Sequence, residues 1–228
     1  MTRLLALALV GLLSPLLVGC GSVFPKPRPS RLYVLTSLSP SGDATDRSVR
    51  TGRGAASADG RPLSIGIGPI RWPGYLDRQE IIIRVEPNRF KVLEDDRWAE
   101  PLDENFLRVL MQNLSASLRT DQIFVYPWPR NKKPSYRLDI EVLRLESTSA
   151  AQAQLTARWT ITDVDDNDKT VSNEFQVVRQ AKDDSISAAV AALSEAVADL
   201  GSEIAAALMK QADFGRQTTS ESAASKRN

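Results

Sequence analysis

The side chains able to do chemistry in this 228-residue chain are few, and what is missing narrows the function most. There is no histidine and one cysteine, Cys20. Without histidine, Ser-His-Asp and Cys-His nucleophilic catalysis are excluded, and so is the commonest ligand of zinc and other transition metals. A lone cysteine cannot form an internal disulfide. Carboxylates and cations remain. Asp163, Asp165, Asn167 and Glu174 stand at the spacing of positions one, three, five and twelve of a calcium loop. The sixth position is Asp168, where that loop needs glycine, and the flanks alternate like strands. A solvated hairpin turn is the expectation, with no metal site. Glu94, Asp95, Asp96 and Glu100 form a local cluster. A paired-carboxylate hydrolase would need two acids converging across a cleft, which spacing does not supply, and a charged loop accounts for them. Arg130, Lys132 and Lys133 beside Trp128 would suit nucleic acid or lipid headgroups, but an ordinary exposed loop is the expectation. No catalytic residue and no cofactor is expected.

Cys20 takes its meaning from what precedes it. Residues 1–20 carry one charge, Arg3, then run apolar over 4–18 with Gly11, Ser14 and Pro15 as interruptions. A charged start, a short apolar stretch and small residues at the exit are the build of a secretory signal. The run is short for a hydrocarbon core of ~30 Å, and Pro15 weakens it as a helix. Its end, Leu17-Val18-Gly19-Cys20, resembles the lipobox of bacterial lipoproteins. The resemblance implies cleavage before Cys20 and acylation of its thiol and of the new N-terminus. An ordinary signal followed by an incidental cysteine is the other reading. Acyl chains, at ~0.8 kcal/mol per buried CH2, make such an anchor effectively permanent. Gly21 in place of aspartate implies, by the same resemblance, sorting to the outer membrane. Residues 20–228 suffice for one domain with its own core. Losing Arg3 from the 29 Lys and Arg leaves 28 against 28 Asp and Glu, and a neutral chain does not advertise a nucleic-acid partner.

The elements that must position these residues follow from periodicity. Pro25, Pro27 and Pro29 make residues 20–30 an extended tether, reaching roughly 30 Å at ~3.1 Å per residue. Strands are expected over 31–38, 63–70, 80–86 with a hairpin partner at 89–93, 123–126, 136–146, 153–162 and 171–178. Residues 39–62 form a long polar loop, read as a surface insertion ahead of a functional lid because such insertions cost little. The inward phase changes between Val142 and Leu143, which predicts a β-bulge. A helix is expected over 101–118, with Leu102, Phe106, Leu110, Leu114 and Leu118 on one stripe and Pro101 at its start. A second, over 185–210, carries Ile186, Val190, Leu193, Val197, Leu200, Ile204 and Leu208. That spacing suits a coiled-coil partner, but the alanines between favour packing on the chain's own sheet. A polar disordered tail is expected over 213–228. The whole reads as a single α+β domain over 31–212, an antiparallel sheet with both helices on one face.

One constellation remains: Tyr75-Leu76-Asp77-Arg78, Arg97-Trp98-Ala99-Glu100-Pro101-Leu102 and Tyr126-Pro127-Trp128. With Ile81-Ile82-Ile83 and Ala157-Arg158-Trp159 in the same order, it resembles the ABC-type transport auxiliary lipoproteins, the PqiC-like family, over roughly residues 32–208. Departures are the turn at 165–168, where that family commonly has glycine, and the insertion at 39–62; both concern loop shape. The resemblance implies a lipoprotein held at the periplasmic face of the outer membrane. It implies the auxiliary, docking role in a transport system whose partner is an MCE-domain protein and whose cargo is phospholipid or another hydrophobic molecule. Such partners form rings, so a homo-oligomer is a further expectation. The alternative is a stand-alone lipid-binding or assembly-chaperone lipoprotein, which a cavity of a few hundred Å3 would distinguish. For the constellation itself two readings stay open: a partner-binding face, or a helix start and internal ion pairs that only hold the fold.

Overall fold

The computed structural model describes residues 29–38, 63–166 and 169–225. Cys20, most of the tether and the 39–62 loop lie outside the described residues. In chain order the elements are β1 (Arg31–Tyr33), β2 (Ile65–Ile67), β3 (Glu80–Glu86), β4 (Arg89–Trp98), α1 (Leu102–Leu118), β5 (Ile123–Val125), β6 (Tyr136–Thr148), β7 (Gln152–Asp163), β8 (Thr170–Gln180) and α2 (Ile186–Ser225). The α+β class and single domain are as expected, but the sheet is mixed. Hairpins β3–β4, β6–β7 and β7–β8 are antiparallel. In contrast, β1 on β4, β2 on β5 and on β6, and β3 on β6 are parallel.

The long strand β6 organises the sheet. One of its edges is occupied along its length by β7, from Tyr136 opposite Asp163 to Ser147 opposite Ala153. Its other edge is shared end to end. β2 pairs at Tyr136–Leu138 and leads to β5, while β3 pairs at Ser147–Thr148 and leads to β4 and β1. The expected bulge is present as a register shift between Val142 and Arg144.

Both helices cover one face. The stripe of α1 is buried at Leu102, Phe106, Leu110, Leu114 and Leu118, and that of α2 at Val190, Leu193, Val197, Leu200, Ile204 and Leu208. A Cβ added at Gly201 would meet Asn113 Cβ at 3.2 Å, so the missing side chain lets α2 lie against α1. The apolar stripe of α2 is thus consumed inside the fold, against α1 and strands β6 to β8. The helix continues past Lys210, into the stretch expected to be a polar tail. At its other end α1 stops with Arg119 in the left-handed conformation, φ 51°, its N–H donating to Ser115 O.

The first strand is shorter than expected, and the reason lies on the helices. Beyond Tyr33 the backbone is taken over by their polar side chains. Leu35 N–H donates to Asn105 Oδ1 at 2.6 Å, Asn105 Nδ2 donates to Leu35 O at 3.2 Å, and Thr36 N–H donates to Ser194 Oγ at 3.1 Å. Leu35 is driven into the core while its main chain leaves the ladder.

Candidate functional site

The residues singled out by sequence fall into two places. The first is built around Tyr75, which sits on a 3-10 turn (Gly74–Leu76) entered through Pro73. Leu76 points into the core. The Tyr75 ring stacks on Phe90 of β4, centroids 5.1 Å apart, and its hydroxyl donates to Glu146 Oε2 at 3.1 Å. The Glu146 carboxylate has no exposed surface. It also accepts from Arg84 Nε and, at 3.1 Å, from Arg84 Nη2, with Arg144 Nε at 3.5 Å. The Arg84 guanidinium lies 4.2 Å from the Phe90 ring centre. Burial, then the adjacent carboxylate, push the Tyr75 phenol up to about 12. Bonding to Glu146 in turn raises Arg84. The carboxylate's donors are all protein groups, so the cluster is a satisfied ion pair under an aromatic lid.

Next to it comes the turn into α1. Trp98 is buried and its backbone N–H donates to Gln79 O at 2.8 Å, tying the run that starts at Tyr75 to the end of β4. Pro101 caps α1 without a side-chain bond, and Asp103 and Glu104 occupy the first turn. The internal pairs proposed from sequence are rearranged. Glu100 pairs with Arg108, and Arg97 stands 3.9 Å from Glu80. The buried Arg97 Nε has no hydrogen-bond partner. Asp77 and Arg78 are exposed and make no ion pair among the described residues.

The second place is the loop after β5. Tyr126 is 55% exposed, with its ring edge-on to Trp128 at 5.5 Å. The Tyr126–Pro127 peptide is cis. Trp128 and Pro134 cover Gly66, whose added Cβ would come within 2.9 Å and 2.8 Å of them. Gly66 alternates with the buried Ile65 and Ile67, so this loop lies over the helix-free side of the sheet. The three sequence runs therefore do not converge. Two share one corner and the third lies near the other end of β6.

Of the acidic candidates, Asp163, Glu174 and Asp96 have protein partners. Asp163 Oδ1 accepts from the backbone N–H of Asp165 and Asp166, at 3.0 and 3.2 Å, and Glu174 is bound by Arg158 at 2.8 Å. Asn167 and Asp168 lie outside the described residues. The acidic cluster is not a loop: Glu94, Asp95 and Asp96 belong to β4. Asp96 is buried and clamped by Arg31 Nε and Nη2, each at 2.7 Å, and by the Tyr33 hydroxyl at 2.9 Å. The Arg31 bonds hold its carboxyl below the usual range. Sequence reading missed Asp96 and Glu146 as buried charges. The phase change in β6 was the one signal near Glu146.

Among the described residues a small cavity of about 20 Å3 lies beside Trp98, Leu102, Val190, Leu193 and the edge of Glu146. That is room for about one water, against ~300–1,000 Å3 for a ligand site. No group of three or more metal-binding side chains occurs, and no helix is long and apolar enough to cross a membrane, among the described residues.

Comparison with known proteins sets the class. An uncharacterized protein of known crystal structure superposes with a TM-score of 0.61 at 15% identity, covering 79% of this chain and 99% of that one. A protein from Xanthomonas campestris superposes with a TM-score of 0.58 at 18% identity, covering 82% and 99%. At these identities the likeness establishes the fold alone. No curated protein matches the sequence. The profile of one family matches residues 48–205, a span that takes in both corners just described and the greater part of the two helices. By that match the chain belongs to the family of ABC-type transport auxiliary lipoprotein components.

Proposed function

We propose that this chain is the docking component of a transport system: a lipoprotein anchored through Cys20 to the periplasmic face of the outer membrane, meeting an MCE-domain protein that delivers phospholipid or another hydrophobic cargo. The observation that supports docking over carrying is the small size of the cavity between the helices and the sheet. Among the described residues it amounts to about 20 Å3, too little for an acyl chain. Membership of a transport auxiliary family, with no histidine or free thiol beyond the anchor position, supports a positional role ahead of a chemical one. In this reading Cys20 fixes the body to lipid and the proline tether sets its reach. The exposed Asp77 and Arg78 are the parts of the sequence runs free to meet a partner.

The test exports residues 21–228 behind an ordinary cleavable signal and compares them with the lipobox-bearing chain in cells lacking it. The native chain is expected in the outer-membrane fraction, crosslinking to an MCE-domain protein through a photoreactive group at the exposed position 79, beside Asp77 and Arg78. The unacylated chain is expected in the soluble periplasm, without restored transport. Full complementation by the soluble form, or an unacylated native protein, overturns the anchoring mechanism. Co-purification of a stoichiometric lipid overturns docking in favour of carrying.

A further inference from the structure

On the helix-free side of the sheet most of the charge is internally matched. Arg158 bonds Glu174 at 2.8 Å and approaches Glu141 at 3.8 Å, Arg137 bonds Asp139 at 2.8 Å, and Arg71 lies 3.5 Å from Glu141. The loop over β2 and β5 breaks that rule. Arg130, Lys132 and Lys133 are exposed and make no ion pair among the described residues. They surround aromatic surface: the exposed Tyr126, Trp128 seated on Gly66, and Phe124 with Lys132 Nζ 5.2 Å from its ring centre. Pro127, Pro129 and Pro134, and a turn closed by Lys132 N–H to Pro129 O at 2.8 Å, hold the loop in place. Its presented shape therefore needs little ordering on contact.

We propose that this loop binds the headgroup layer of an anionic phospholipid membrane. Tyrosine and tryptophan suit the water–hydrocarbon boundary because one end of each ring system is apolar and the other polar. Unmatched cations beside them are drawn to phosphate-bearing lipid. Placement favours a membrane over an acidic protein segment. The β2–β5 pair and the β1–β4–β3 group share the same edge of β6, opposite β7, so the loop and the root of the tether at Arg31 lie on one side of the molecule. Residue levels along β6 separate them by on the order of 20 Å, at ~3.3 Å per residue. A tether as extended as its prolines lead one to expect would span roughly 30 Å, enough for a chain anchored in lipid to set this loop on the same leaflet. The exposed Leu32 stands at that root. The location of the lipid in the cell rests on the anchored reading. The measurement below does not, because it uses the unacylated chain, and its failure leaves the anchor untouched.

The test is sedimentation of residues 21–228, exported without acylation, on vesicles of phosphatidylcholine with or without a third of phosphatidylglycerol. Binding is expected on the anionic vesicles only, and lost in high salt. Arg130→Gln/Lys132→Gln/Lys133→Gln is expected to weaken the partition on the order of a hundredfold, at about fivefold or more per cation removed. Tyr126→Ser is expected to weaken it severalfold with melting temperature unchanged. Equal partition on neutral and anionic vesicles, or undiminished binding by the triple variant, overturns the proposal. If the triple variant binds vesicles like the parent but loses the crosslink to the MCE-domain protein, the loop is a protein-docking surface and the proposal is wrong.

Discussion

Replacing Arg84 by methionine isolates the largest electrostatic commitment in the fold. Glu146 has no exposed side-chain surface and Arg84 is 20% exposed, so the variant leaves a buried carboxylate without its main partner. Two donors remain, the Tyr75 hydroxyl at 3.1 Å and Arg144 at 3.5 Å. Breaking one side of a buried pair costs about 3–5 kcal/mol, and the surviving donors place the expected loss near ~3 kcal/mol. The introduced thioether would keep contact with the Phe90 ring, so lost packing adds little. For a domain of this size that is a fall in Tm of roughly 6–12 °C. The assay is urea unfolding of residues 21–228 followed by circular dichroism, with the slope compared to confirm an unchanged native state. The decisive companion is Tyr75→Phe/Arg84→Met/Glu146→Leu, which removes the charge along with its partners. It is expected within ~1.5 kcal/mol of the parent, because apolar replacement of a whole buried ionic cluster is commonly near neutral. A loss under ~1 kcal/mol in Arg84→Met, or a triple variant no better than the single one, would refute the reasoning. Either would mean that water at Glu146 takes the place of the lost guanidinium.

The Tyr75 phenol, pushed up to about 12 from an ordinary 10, keeps its proton in the folded chain where the unfolded chain loses it. Stability is thus fully present below about pH 10 and declines from there to about 12, and Tyr75→Phe should flatten that alkaline limb in thermal melts. An unchanged limb would remove Tyr75 as its source. Asp96, held below its ordinary 3.8 first by the Arg31 bonds, stabilises the fold above about pH 4, and the contribution fades as pH falls through its lowered value. Arg31→Gln should shrink the difference between melts at pH 5 and pH 3, and no change would show that the clamp does not persist in solution. Gly66→Ala must displace Pro134 or Trp128, which stand 2.8 and 2.9 Å from the new carbon, at a cost of about 1–3 kcal/mol. It should also weaken binding to anionic vesicles, and full retention of both stability and binding would show that Trp128 does not need its seat.

How much of this was legible depended on whether the signal was periodic or long-range. Every stripe residue from Leu102 to Leu118 is buried because a 3.6-residue repeat on one helix face states its own partner surface. The bulge after Val142 was legible for the same reason, since a period of two cannot change phase silently. Leu35 and Thr36 read as strand from sequence because the residues that capture their backbone, Asn105 and Ser194, lie 70 and 158 positions away in helices whose apolar faces hide them. Parallel pairing was illegible because it depends on which short strand reaches which end of β6. Glu146 illustrates the limit most sharply. Its register partner is Gln154 on the helix-free side, where alternation predicts a solvated residue. It is buried because Arg84 and Phe90, from a hairpin paired to β6 at only two positions, close over it together with Tyr75 of the preceding turn.

That closure changes how the family motifs are to be read. Tyr75, Leu76 and Trp98 face inward and have identified structural tasks: stacking on Phe90, filling the core and anchoring the entry to α1. Substituting any of them tests folding first, so loss of transport in such a variant would say nothing about a partner. Asp77 and Arg78 extend from the same turn into solvent with no ion pair among the described residues to hold them, and Tyr126 is more than half exposed at the far end of β6. Nothing in the packing requires the Asp77 and Arg78 side chains to be what they are, whereas the Tyr126 ring packs on Trp128. Asp77→Ala/Arg78→Ala should therefore leave stability within ~0.5 kcal/mol of the parent, as surface changes do, while reducing the crosslink to the transport partner. If partner contact survives their removal and disappears only when Trp98 or Tyr75 is changed, the motifs hold the fold and the docking face must be sought elsewhere on the body.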